Sequence, residues 1–127
     1  MKRLMVVDDS SIIRRRISRA HGLADYEVVA QAEDGAQALE QARAHQPDLI
    51  TIDLTMPNMD GPAAIPLLAS LCPKSRILVV SALSDKATAI NALASGAHGF
   101  VCKPFTDEEL SAALKELAAD VQDGCDE

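Results

Sequence analysis

Leu49-Ile50-Thr51-Ile52, followed at once by Asp53, decides the architecture of this 127-residue chain. A strand with one wet face would alternate apolar and polar side chains, and this run does not. It reads instead as a strand buried on both faces, the usual condition in a parallel sheet covered by helices. The carboxylate then falls where that strand leaves the sheet.

Four further apolar runs share this character: Leu4–Val7, Val28–Ala30, Ile77–Val80 and Phe100–Cys102. The segments between them have helical spacing. The last is the clearest, with Leu110, Ala113, Leu114, Leu117 and Val121 on one stripe and Thr106 and Glu109 at capping-box spacing before it. The fourth opens at Ser84 and stops at Gly96, a good residue to end a helix. Pro62 suits the first turn of the third, whereas Pro66 lies further in and is expected to bend or shorten its start. Five βα units in strict alternation predict an α/β fold, a flavodoxin-like doubly wound (βα)5 with a five-stranded parallel sheet in the order 2-1-3-4-5. Residues 1–120 form its one domain, and 121–127 are expected to be a short, frayed acidic tail.

Composition narrows the function. A domain of this size buries roughly two thirds of its unfolded surface, so the 48% hydrophobic residues supply a core without staples. The only aromatics are Tyr26, Phe100 and Phe105, too few for a base-stacking surface. The formal charge of −7 repels phosphate backbones and anionic lipid, so neither nucleic acid nor membrane is an expected partner. No apolar run approaches a membrane span. Cys72, Cys102 and Cys125 form no CxxC pair, and the first two read as small core residues. Without a signal peptide, a reduced cytoplasmic protein is expected.

Reactive side chains collect at the carboxyl ends of the strands. Asp8 and Asp9 follow the first, Asp53 ends the third, Ser81 ends the fourth and Lys103 follows the fifth. In the predicted order the first, third, fourth and fifth strands are neighbours, so these residues converge on the crevice where open α/β sheets bind ligands. Three carboxylates in one crevice resist ionising unless a cation joins them, and a hard divalent ion such as Mg²⁺ suits oxygen donors. Lys103 adds a fixed positive charge and Ser81 a hydroxyl donor, which together make a cradle for a phosphoryl group. Asp53, at the centre, is the natural nucleophile. One strand-end Asp alone is more simply a turn or helix cap, but capping needs do not generate the whole set.

The chain resembles the receiver domain of two-component response regulators, in particular the stand-alone chemotaxis-type regulator. The residues that carry the resemblance are Val7-Asp8-Asp9-Ser10, Thr51-Ile52-Asp53-Leu54-Thr55-Met56-Pro57, Asp60-Gly61, Ser81-Ala82 and Gly99-Phe100-Val101-Cys102-Lys103-Pro104-Phe105. It implies that Asp53 accepts a phosphoryl group from a sensor histidine kinase or a histidine phosphotransfer protein. Asp9, Asp53 and the backbone carbonyl of Thr55 would ligate Mg²⁺ or Mn²⁺ directly, with Asp8 acting largely through water. Lys103 would pair with the phosphoryl group, Ser81 would close onto it, and Phe100 would turn inward as the aromatic switch. Lys103-Pro104 resembles the family's cis bond. The implied output is a protein target, bound through the fourth helix, fifth strand and fifth helix (Ser84–Gly96, His98–Lys103 and Thr106–Ala119), with chemotaxis or motility as the expected context. Such a domain catalyses its own phosphorylation and dephosphorylation, without turning over an external substrate.

Thr55 and Leu83 occupy the two family positions that tune loss of the phosphoryl group, and Leu83 cannot orient an attacking water. Self-dephosphorylation is therefore expected to be intermediate or slow. Phe100 lacks a hydroxyl, so its switch would depend on burial. Arg14, Arg15, Arg16 and Arg19 crowd the first helix, beside an apolar side marked by Ile13, Ile17 and Ala20. They read equally as solvated surface with Arg16 snorkelling, or as a basic contact for a phosphodonor protein. His21, His45 and His98 show no ligand spacing, and Met56 and Met59 read as loop packing. A haloacid-dehalogenase-like phosphatase would need a second acid where this chain has Thr55. A flavodoxin-type carrier would need a Ser/Thr/Gly phosphate loop where it has Asp8-Asp9. A phosphorylation-independent docking receiver, or a phosphate sink within a relay, is the alternative within the family.

Overall fold

The structure, a computed structural model, describes residues 2–20 and 26–125, with side chains for all of these except Leu83 and 120–125. Five strands, β1 (Lys2–Val7), β2 (Tyr26–Ala32), β3 (Leu49–Asp53), β4 (Arg76–Ala82) and β5 (Gly99–Lys103), alternate with five helices. These are α1 (Ser11–Ser18), α2 (Gly35–His45), α3 (Gly61–Leu71), α4 (Lys86–Ser95) and α5 (Asp107–Cys125). All strand pairs are parallel and the order is β2-β1-β3-β4-β5, the doubly wound arrangement expected from the sequence.

Successive residues of the inner strands point to opposite faces, and both faces are dry, which is why their sequences look continuously apolar. Met5, Val7, Ile50, Ile52, Ile77 and Val79 pack under Ala38, Ala42, Ala64, Ile65, Leu68, Ala89 and Ala92 of α2, α3 and α4. On the other face, Leu4, Val6, Leu49, Leu78 and Val80 meet Ile17 of α1 and Leu110, Leu114 and Leu117 of α5. Leu114 is completely buried, and its truncation to Ala would cost about 2–5 kcal/mol.

Helix starts are fixed by polar side chains. Ser10, Asp34 and Asp60 accept from the amides of Ile13, Gln37 and Ala63 to cap α1, α2 and α3. Thr106 and Glu109 form the expected capping box at α5, with bonds of 2.8 and 3.0 Å. Gly96, at φ 131°, ends α4.

Several boundaries differ from the sequence reading. The backbone of the last helix runs on to Cys125, six residues beyond Ala119, continuing the spacing that includes Val121. α4 starts at Lys86 rather than Ser84, because Leu83–Asp85 form a 3-10 turn. Pro66 does not shorten the start of α3, since Asp60 caps it and Pro62 lies in its first turn. Cys102 is only half-buried, because β5 is an edge strand whose five residues are all partly exposed; Cys72 is buried as expected. His21 and residues 126–127 lie outside the described residues, and so do the side chains of Leu83 and Cys125. Among the described residues no helix is long and apolar enough to cross a membrane.

Candidate functional site

Parallel pairing places the carboxyl ends of the four central and right-hand strands on one edge. Val7 pairs with Ile52, Asp53 with Val80, and Ser81 with Cys102. Asp8 and Asp9 leave β1 at this edge, Asp53 closes β3, and Lys103 closes β5. The topology has therefore brought together residues up to 95 positions apart.

Asp8 is fully buried, Asp53 nearly so, and Asp9 exposed. One carboxylate oxygen from each lies within 4.8 Å of the others. The Lys103 ammonium sits 3.2 Å from Asp8 Oδ2 and 3.4 Å from Asp53 Oδ1, bridging two of the acids. Asp8 Oδ1 accepts from the Ser10 amide at 2.9 Å, so both of its oxygens are engaged.

Burial, and then the neighbouring Asp8 charge, push the Asp53 carboxyl above its ordinary pKa; Lys103 and the Thr55 amide oppose them without prevailing. Burial favours the neutral amine of Lys103, but Asp53 and Asp8 outweigh it and hold the ammonium above its ordinary value. One ammonium among three carboxylates leaves negative charge in excess. That surplus, on hard oxygen donors that converge, fits a divalent cation such as Mg²⁺ or Mn²⁺.

Ser81 is fully buried on β4, next to the residue that pairs with Asp53, and its hydroxyl has no hydrogen-bond partner among the described residues. Such a group is costly to leave unpaired, and it suits a ligand oxygen better than it suits the core. The Thr55 side chain is exposed on the loop after β3. Phe100 does not join the acidic cluster; half-buried, it packs against the core beneath α2, α3 and α4. The Lys103-Pro104 bond is cis.

Two features of the site escape a reading of the sequence. Gly61 brings the first turn of α3 so close to Asp53 that a Cβ there would lie 2.5 Å from the Asp53 carbonyl oxygen. Asp34, a buried cap, accepts from the Asn58 side chain at 2.9 Å while the Gly35 amide donates to the Met59 carbonyl at 2.7 Å, tying the β3–α3 loop to α2. The only sequence signals were a glycine after Asp60 and an Asp before Gly35, both common in turns.

The profile of the response regulator receiver domain family matches residues 4–115. The chemotaxis protein CheY of Bacillus subtilis is 40% identical over 91% of this chain and 97% of its own length. CheY of Thermotoga maritima is 35% identical over 92% of this chain and 98% of its own length. Among solved structures, the receiver domain of the putative response regulator NarL from Mycobacterium tuberculosis is 37% identical with a TM-score of 0.84, covering 93% of this chain and 96% of that one. A CheY-like receiver from Methanospirillum hungatei, 22% identical with a TM-score of 0.89, covers 98% of both chains and shows the shared fold.

Proposed function

The chain belongs to the response regulator receiver domain family of two-component signalling, and from that premise we propose that Asp53 accepts a phosphoryl group and thereby controls protein binding. The observation that carries this reading is the convergence of the Asp8, Asp9 and Asp53 carboxylates, with the Lys103 ammonium bridging Asp8 and Asp53. Asp53 is the central carboxylate, and Lys103 already touches it.

A carboxylate oxygen of Asp53 attacks the phosphorus of a phosphohistidine donor. The new P–O bond forms as the P–N bond breaks, and the imidazole nitrogen keeps the electron pair. Asp8, Asp9, Asp53 and the Thr55 carbonyl would hold Mg²⁺, which when bound supplies charge neutralisation for the transferring group. Lys103 remains beside Asp53 and stabilises the negative oxygens that the acyl phosphate adds. The buried Ser81 hydroxyl finds in one of those oxygens the acceptor it otherwise lacks.

Switching follows from the same two contacts. Moving an equilibrium from 1:99 to 99:1 needs about 5.5 kcal/mol of differential interaction. Two charge-assisted hydrogen bonds, at about 1.5–3 kcal/mol each, supply much of it. The Ser81 movement is transmitted to Phe100 on the adjoining edge strand, and so to α4, β5 and α5. Ile90 and Leu93 are large apolar side chains exposed on α4, and they offer a protein target something to bury. Likeness to two CheY proteins supports a cytoplasmic role in chemotaxis or motility. With Leu83 and Thr55 at the tuning positions, the acyl phosphate decays at an intermediate or slow rate.

The test is transfer of labelled phosphoryl from a histidine-phosphorylated kinase or phosphotransfer domain. Label should move to this chain in Mg²⁺, and not to Asp53→Asn or in the presence of chelator. Equal labelling of Asp53→Asn would refute the assignment.

A further inference from the structure

The arginines of α1 are not equivalent. Arg14 is turned inward: its Nη1 donates to the Asp8 carbonyl at 2.6 Å, its Nε to Gln31 at 3.3 Å, and its Nη2 lies 3.8 Å from Glu33. Arg16 crosses to the far side of the site. Its Nη2 donates to the Phe105 carbonyl at 2.6 Å, and its guanidinium carbon lies 5.1 Å from the centre of the Phe105 ring. Arg15 and Arg16 are both exposed on this helix, so it is the Phe105 contact, not burial, that sets Arg16 apart.

Arg16 therefore uses both chemical properties of a guanidinium on one residue, the in-plane N–H donor and the flat cationic face. Its target is significant. Phe105 lies two residues beyond Lys103, where the chain has left β5 and has not yet entered α5. The Phe105 ring is itself buried against Leu110, Leu114 and Ile17, so it is a fixed anchor. A flexible lysine side chain reaches Asp8 and Asp53 correctly only if the backbone that carries it is held. Lys103 is the last residue of β5, in register with Ala82, so the sheet secures its N-terminal side and the β5–α5 loop must secure the other.

We propose that Arg16 is a positioning residue for phosphoryl transfer, fixing the β5–α5 loop and through it the Lys103 ammonium between Asp8 and Asp53. This rests on Asp53 being the phospho-acceptor. It gives Arg16 a role inside the domain, distinct from a basic contact with a phosphodonor protein, and leaves that contact to exposed arginines such as Arg15.

The experiment uses phosphoramidate as donor, so no protein docking contributes, and follows the intact mass at saturating Mg²⁺ together with Mg²⁺ affinity by calorimetry. Arg16→Ala should slow phosphoryl incorporation about tenfold, the lower end of what loss of an outer-shell contact does. Its Mg²⁺ affinity should stay within about twofold of wild type, because Lys103 is not a metal ligand; general loosening of the domain would lower both. Arg15→Ala should match wild type. Arg16→Lys keeps the charge without the planar fork and should remain slow. Wild-type rate in Arg16→Ala, full rescue by Arg16→Lys, or an equal loss in Arg15→Ala would each overturn the proposal, the last two by showing that charge alone attracts the anionic donor. If every arginine variant and wild type take up phosphoryl alike, the acceptor assignment stands and only the positioning role falls. If wild type takes up none, both fall.

Discussion

Replacing Gly61 by Ala tests how tightly the start of α3 is built against the acceptor. Gly61 has no positive φ, so alanine meets no backbone penalty there. The objection is steric. The added Cβ would lie 2.5 Å from the Asp53 carbonyl oxygen and 2.8 Å from Leu54 Cα, about 0.9 and 0.6 Å short of the 3.4 Å at which ordinary contact begins. Both neighbours are backbone, and neither can rotate away. The Gly61 amide also donates to the Leu54 carbonyl at 3.0 Å, so any retreat of α3 stretches that bond. Overpacking of this kind costs about 1–3 kcal/mol, and alanine's lower unfolded-state entropy returns about 0.4–1 kcal/mol. At their midpoints these leave a net loss of about 1.3 kcal/mol, which should lower Tm by roughly 3–8 °C in a domain of this size. The kinetic effect should be larger, because a shift of about 1 Å at the nucleophile's backbone slows a positioned reaction up to roughly 100-fold. Thermal melts and the rate of phosphoryl uptake from a small donor measure the two effects. Gly99→Ala is the control, since its nearest neighbour would be the end of the Leu78 side chain at 3.6 Å, and its stability should stay within about 0.5 kcal/mol of wild type. A Gly61→Ala protein that melts and reacts like wild type would show that α3 has room to retreat from Asp53 without cost.

Three further outcomes follow from the charges and the buried hydroxyl. Asp53 has a folded pKa above its ordinary value, so its ionised form opposes folding at neutral pH and is relieved as pH falls through that folded pKa; Asp53→Asn should raise Tm in chelator at pH 7, with the gap closing on acidification. Asp34 has a lowered folded pKa, held down first by the Gln37 amide and then by Asn58; its stabilising charge is complete above the ordinary value of 3.8 and is lost as pH falls below it. Denaturation of Asp34→Asn should therefore show a deficit at neutral pH that closes as pH falls through the lowered folded pKa of the wild-type carboxyl. Ser81→Ala removes an unpartnered buried hydroxyl, so metal-free stability should hold or rise by about 1 kcal/mol. The same variant should lose the response of α4 and β5 to beryllofluoride and Mg²⁺, followed by amide chemical shifts.

The fold was legible because strands buried on both faces leave continuous apolar runs, and five of them in alternation with helices admit few topologies. Legibility fell at the edges of the sheet. Glu27 and Gln31 are exposed on β2, so this edge strand showed only its short apolar centre, although it runs from Tyr26 to Ala32. The acidic cluster and Lys103 were legible because topology alone delivers strand ends to one place. Ser81 was found for the same reason, but its burial without a partner belongs to packing. The closeness of Gly61 to Asp53 is a backbone-to-backbone fact that a sequence writes only as a glycine. The division of the α1 arginines depended on a partner 89 residues away, and the helical pattern could place Arg16 only on the rim of the buried face.

The central claim is that Asp53 is the single phospho-acceptor of this domain. Intact mass after treatment with a small phosphoryl donor and Mg²⁺, set beside Asp53→Asn, tests it most directly. Wild type should gain one phosphoryl group, absent from Asp53→Asn and from wild type in chelator. The same addition on Asp53→Asn, or no addition to wild type with any donor, would contradict it.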